Sequence, residues 1–123
     1  MKLRIRGNSI RLRLRKSEVQ QLLDQHCVEE KTHFASGTLI YQLLIDQRAI
    51  SPISCFSGGT ISIALPPAIA EKWTHSSQVS IATTQELDNG QSLRILIEKD
   101  FQCLNPRDDD SDAYPNPENH QAC

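Results

Sequence analysis

The chain has 123 residues, 38% hydrophobic and 23% charged, with a formal net charge of −2. That length supports one hydrophobic core rather than two. No stretch approaches the roughly 18 apolar residues of a membrane span, and no apolar run of about 7–15 residues follows the basic start as in a secretory signal. The expected setting is therefore the cytoplasm, with Cys27, Cys55, Cys103 and Cys123 as reduced thiols. These cysteines are scattered and form no CxxC pair, so zinc ribbons and thioredoxin-like sites have no support.

Seven of the 13 basic residues lie in the first 16 positions: Lys2, Arg4, Arg6, Arg11, Arg13, Arg15 and Lys16, with no acid among them. Residues 2–6 alternate strictly, with Leu3 and Ile5 on one side and Lys2, Arg4 and Arg6 on the other. Ile10, Leu12 and Leu14 alternate with Arg11, Arg13 and Arg15 in the same way. A period of two predicts half-buried strands, and Gly7-Asn8 between them suits a two-residue hairpin turn. The turn predicts a register: Arg6 opposite Ser9, Ile5 opposite Ile10, Arg4 opposite Arg11, Leu3 opposite Leu12, Lys2 opposite Arg13. The apolar pairs then share one face and the cations the other. Like charges directly opposed cost roughly a few tenths of a kcal/mol per pair, so the pattern predicts a cationic surface that lacks its counter-ion. Three roles compete for such a face. It is a solvated strand face, a site for nucleic-acid phosphates, or a docking place for an acidic partner or the protein's own acidic tail.

Further along, SEVQQLLDQH (17–26) reads as a short helix with Ser17 as N-cap and Val19, Leu22 and Leu23 on its apolar face. A strand from Cys27-Val28 to Phe34, a turn at Ser36-Gly37 and a largely buried strand over 38–45 follow. A shift of 51 positions then aligns Gly7 with Gly58, Ile10 with Ile61, Leu12 with Ile63 and Leu14 with Leu65. Pro66-Pro67 opens a second short helix carrying Ile69 and Trp73, the latter expected as a core anchor. Val79 and Ile81 begin another strand, Asn89-Gly90 is a hairpin signal, and 92–97 matches 38–45. The order strand–strand–helix–strand–strand thus occurs twice, over 1–50 and 51–101. The expected fold is α+β, mainly antiparallel β with two short helices, a single domain over 1–101 built as a pseudo-twofold repeat in which each half completes the other's core.

The stretch GNSIRLRLRKSEVQQL resembles the AbrB/MazE-like swapped-hairpin family of bacterial transition-state regulators and antitoxins. Gly7, Asn8 and Ser9 match that family's turn, Arg13-Leu14 its Arg-Ile step, and Glu18 to Leu23 its helix. In the second half Leu65-Pro66 matches the Ile-Pro step, and Gln78-Val79 stands where a hairpin strand begins. The resemblance implies DNA contact by the first hairpin, with Arg4 and Arg13 as the positions that carry over, and two units fused into an intrachain pseudo-dimer. Two departures stand out. Arg15 replaces the proline in the first half, and Ser62 and Ala64 take the places of Arg11 and Arg13 in the second. A symmetrical grip on DNA then requires two chains, a homodimer. The opening RIRGNSIRLRL, the LIEKDFQCL segment and the YPNP stretch also resemble a small bacterial domain family that brings no activity with it.

Residues 102–123 form an acidic, Pro-containing tail, with Asp108, Asp109, Asp110, Asp112 and Glu118 against Arg107. It is expected to be solvated, with docking onto the basic hairpin as the alternative, through several ion pairs together and with Tyr114 or Leu104 adding apolar contact. DDDSD lacks the loop glycine and distal glutamate of a calcium loop, and His120 with Cys123 makes two ligands where a zinc site needs four, so no metal or other cofactor is expected. Enzyme chemistry has little support: His26 and Cys27 are neighbours on a predicted strand and so point to opposite faces, and His33 and His75 have no companions at motif spacing. The leading expectation is a small non-enzymatic DNA-binding or regulatory protein whose Lys2, Arg4, Arg6, Arg11 and Arg13 contact the phosphates of double-stranded DNA. The alternative is an interaction module whose basic hairpin binds an acidic protein or the chain's own tail.

Overall fold

The computed structural model describes residues 1–101, 112–115 and 117. The expected docking of the tail, the DDDSD cluster apart from Asp112, and His120 with Cys123 lie outside those residues; Tyr114, which is described, is 97% exposed.

Ten elements follow the order β1 (Lys2–Ile5), β2 (Ser9–Leu14), α1 (Lys16–Gln25), β3 (Cys27–Phe34), β4 (Gly37–Ile45), β5 (Ile53–Ser57), β6 (Thr60–Leu65), α2 (Pro67–His75), β7 (Ser80–Glu86) and β8 (Ser92–Lys99). Strand–strand–helix–strand–strand therefore occurs twice, and β5, β6 and α2 each begin 51 residues after β1, β2 and α1.

The strands make two four-stranded sheets, ordered β1-β2-β8-β7 and β3-β4-β6-β5. The hairpins β1–β2, β3–β4, β5–β6 and β7–β8 are antiparallel. Each sheet is joined at its centre by a parallel pair, β2 with β8 and β4 with β6. The domain is α+β and four of its six strand pairings are antiparallel, as expected, but the parallel pair at the centre of each sheet makes both sheets mixed. Parallel neighbours need a long crossover: between β2 and β8 it is most of the chain, and between β4 and β6 it is the segment that carries β5. The first hairpin lies beside the last one, and the two middle hairpins lie beside each other.

Alternation in each strand sends one set of side chains inward. Ile10, Leu12, Leu14, Ile81, Ile95 and Ile97 of the first sheet join Val28, Leu43, Ile63 and Leu65 of the second in one buried cluster, with Leu22, Ala70 and Trp73 from the helices. Trp73 is fully buried, and its indole N–H donates to the Val79 carbonyl at 3.1 Å. The sheets are also stitched by polar contacts. Gln85 of β7 accepts from the Ser54 backbone N–H at 2.8 Å, and the Tyr41 hydroxyl donates to the Met1 carbonyl at 3.1 Å.

The cap of helix α1 lies two residues earlier than its sequence suggests, at Arg15, so that the helix begins at Lys16 and Ser17 is inside the first turn. The reason is Glu18, whose carboxylate reaches back to accept from the Arg15 N–H at 2.9 Å, the carboxylate half of a capping box. The same carboxylate receives the Met1 amino group, which also donates to Glu30 at 2.9 Å. Burial works to raise the Glu18 pKa, but the Met1 ammonium and the Arg15 N–H outweigh it and hold the carboxyl below the ordinary range. Pro66 is the N-cap of α2, at the position equivalent to Arg15.

Candidate nucleic-acid interface

The hairpin register is the one that the turn predicts: Lys2 opposite Arg13, Leu3 opposite Leu12, Arg4 opposite Arg11, Ile5 opposite Ile10. Arg6 and Ser9 exchange two backbone hydrogen bonds of 3.1 Å around the turn. Gly7 sits there at φ +53°, a conformation that side-chain-bearing residues rarely adopt. Leu3, Ile10, Leu12 and Leu14 turn inward; Lys2, Arg4 and Arg6 are exposed and Arg11 and Arg13 half-buried on the outward face. The five sequence-predicted residues are thus brought together on one side of one ribbon.

The parallel neighbour changes the electrostatics of that ribbon. Register places Glu98 of β8 beside Arg13, Leu96 beside Arg11 and Arg94 beside Ser9. The Glu98 carboxylate accepts from Arg13 Nε at 2.9 Å, approaches its terminal nitrogen at 2.8 Å, and lies 3.6 Å from Arg11 Nε. The cationic face therefore does contain a counter-ion, contrary to the expectation that it lacks one. It comes from the opposite end of the folded chain, which local pattern cannot reveal. Among the described residues, no carboxylate comes within ion-pairing distance of Lys2, Arg4 or Arg6.

Arg94 is the cation that sequence reasoning missed. It is exposed on the same outward face, beside Ser9, and next to Thr84 of β7. The available signal was the alternation of Leu93, Ile95 and Ile97 with Arg94, Leu96 and Glu98, which puts the arginine on the outward side; its neighbours follow from the parallel pairing alone.

The equivalent surface of the second sheet carries different chemistry. Ile53 and Cys55 stand where β1 has Lys2 and Arg4, Ser62 and Ala64 where β2 has Arg11 and Arg13, and Leu44 lies beside Ala64 as Glu98 lies beside Arg13. The four arginines of the strands, Arg4, Arg11, Arg13 and Arg94, therefore all lie on the first sheet, whereas the outward face of the second carries Glu29 and Lys31 of β3 as an acid and a base together.

Among the described residues, the other candidate groups are not brought together. His26 is the C-cap of α1 at φ +62°, not a strand residue, and Cys27 opens β3. Burial first, then Glu29, push the Cys27 thiol upward, away from the reactive thiolate. Among the described residues no three His, Cys, Asp or Glu side chains form a metal-holding group, and no helix is long and apolar enough to cross a membrane.

No curated protein and no solved structure matches the chain. A family match extends over residues 1–118, nearly the whole length. The chain belongs to that family, DUF7009, a family of unknown function.

Proposed function

We propose that this protein binds double-stranded DNA, holding phosphates on the outward face of the first sheet through Lys2, Arg4, Arg6, Arg11 and Arg13. The observation that carries the reading is the direct opposition of Arg4 with Arg11 and of Lys2 with Arg13. Folding pays to bring those charges together, and one carboxylate, Glu98, answers them on the ribbon's inner flank. Guanidinium forks match phosphate as they match carboxylate, and phosphate contacts position a protein on a duplex without reading bases.

A finer reading is a fused pair of swapped-hairpin units of the AbrB/MazE-like type, acting as a regulator or antitoxin. Its support is the exchange of partners: the first hairpin of each half pairs with the second hairpin of the other half. Since the strand arginines lie on one sheet alone, a symmetrical grip on two half-sites takes a homodimer.

The second reading is recognition of an acidic protein. Glu98 supports it, because its seat against Arg13 and Arg11 is how an incoming carboxylate would be held. One experiment separates the two. Binding of a labelled duplex is followed against salt for the parent protein and for Arg4→Glu/Arg11→Glu. DNA binding predicts a steep salt dependence in the parent and loss of retention in the variant. No duplex affinity at about 50 mM salt, together with retention of an acidic peptide, decides for the second reading.

A further inference from the structure

Two shallow concavities lie on the outward face of the first sheet. One, of about 140 Å³, is lined by Arg4, Arg6, Ser9 and Arg11. The other, of about 460 Å³, has Ser9, Arg11, Thr84, Arg94 and Leu96 in its lining. They share Ser9 and Arg11, so they form one trough that crosses the strands in the order β1, β2, β8, β7. Neighbouring strands lie about 4.8 Å apart, so the crossing spans about 14 Å.

The chemistry changes little along the trough. Arg4 and Arg6 stand at one end, Arg11 in the middle, and Arg94 with the Thr84 hydroxyl at the other. Arg11 is engaged loosely, 3.6 Å from Glu98, and Arg94 is exposed. Glu86, at the end of β7, lies beside Ser92 rather than Arg94. The outward positions carry Lys, Arg, Ser, Ala, Thr, Leu and Glu and no aromatic ring. Grip on a single strand relies on bases stacked on aromatic side chains, and this face offers none.

We propose that Arg94, Arg11 and Thr84 form a second phosphate site, and that the ligand is the backbone of a nucleic-acid duplex laid across the strands from β1 to β7, held without reading its bases. This rests on the anion-binding reading above and assigns it a longer footprint, a further residue and a direction.

The test is fluorescence anisotropy of the full chain with a labelled mixed-sequence duplex, titrated with salt, with the free single strand and inorganic phosphate as competitors. Arg94→Gln is expected to weaken binding about fivefold and to reduce the slope of log K against log salt by about 0.9, one phosphate contact. Thr84→Val is expected to weaken binding about twofold. Arg48→Gln, at an exposed arginine paired with Asp46 away from the trough, is expected to leave binding unchanged. Arg94 is exposed, so a circular dichroism spectrum matching the parent is expected to accompany its loss of affinity.

An unchanged slope for Arg94→Gln, while Arg4→Glu/Arg11→Glu abolishes binding, overturns the second site and leaves the hairpin reading standing. A parent protein that binds no duplex at low salt overturns both. Tighter binding of the single strand overturns the duplex assignment. Competition by millimolar inorganic phosphate assigns the trough to a small phosphate and overturns the polymer.

Discussion

Arg13 and Glu98, 85 residues apart in the chain, meet in a close ion pair: the carboxylate takes the Arg13 Nε at 2.9 Å and lies 2.8 Å from a terminal nitrogen. The pair is half-buried, and it spends one of the hairpin's cations internally. Glu98→Gln keeps the shape and removes the charge. We expect duplex affinity to rise about threefold at low salt, as Arg13 and Arg11 become available to phosphate. Stability should fall by less than about 1 kcal/mol, since such pairs contribute little. Anisotropy and urea denaturation measure the two effects. Weaker binding by Glu98→Gln would mean that the pair positions the arginines instead of competing for them.

The opposition of Arg4 and Arg11 predicts effects of opposite sign in one variant. Arg4→Glu converts a repulsive cross-strand pair into an attractive one. It should stabilise the fold by about 0.5 kcal/mol while reducing duplex affinity several-fold. If stability and affinity fall together, the variant has damaged the hairpin and the repulsion argument fails. Thermal unfolding and anisotropy on the same sample distinguish these cases.

Glu18 ties the Met1 amino group to the start of α1, and that amino group in turn donates to Glu30 of β3. Its carboxyl has a lower pKa in the folded chain than in the unfolded one. Its contribution is therefore complete above the unfolded value of about 4.3 and lost as pH falls through the folded value. Glu18→Gln should cost about 2 kcal/mol at neutral pH, the loss of hydrogen bonds to a charged group. It should also flatten the acid side of the stability curve. Urea midpoints from pH 3 to pH 7 test it; parallel curves for parent and variant would exclude Glu18 as the acid-sensitive group.

Trp73 anchors both the packing and the entry to β7. Trp73→Ala is expected to cost about 3–5 kcal/mol. Trp73→Phe keeps much of the apolar volume and loses the hydrogen bond to Val79, a smaller cost of about 1 kcal/mol beyond the volume change. Denaturation followed by circular dichroism ranks the two, and equal losses would mean that the indole N–H dominates.

Much of this arrangement was legible in advance, because its causes are local. The register of β1 with β2 follows from alternation and a two-residue turn containing a glycine at positive φ. The twofold element order follows from apolar positions that recur after 51 residues, and Trp73 in the core follows from helical spacing. The start of α1 was misplaced because Ser17 has the N-cap chemistry, whereas the cap is set by Glu18 reaching back to the Arg15 N–H.

The sequence by itself therefore determined the strands, the helices, the inward and outward faces and the gathering of Lys2, Arg4, Arg6, Arg11 and Arg13 on one of them. Only the tertiary structure decided what lies beside that ribbon. Burial of both sheets' inner faces around one core brought β8 parallel to β2, and with it Glu98 to neutralise Arg13 and Arg94 to extend the cationic surface. Alternation fixes which way a side chain points, whereas which strand becomes the neighbour depends on how the distant hairpins pair and share one core.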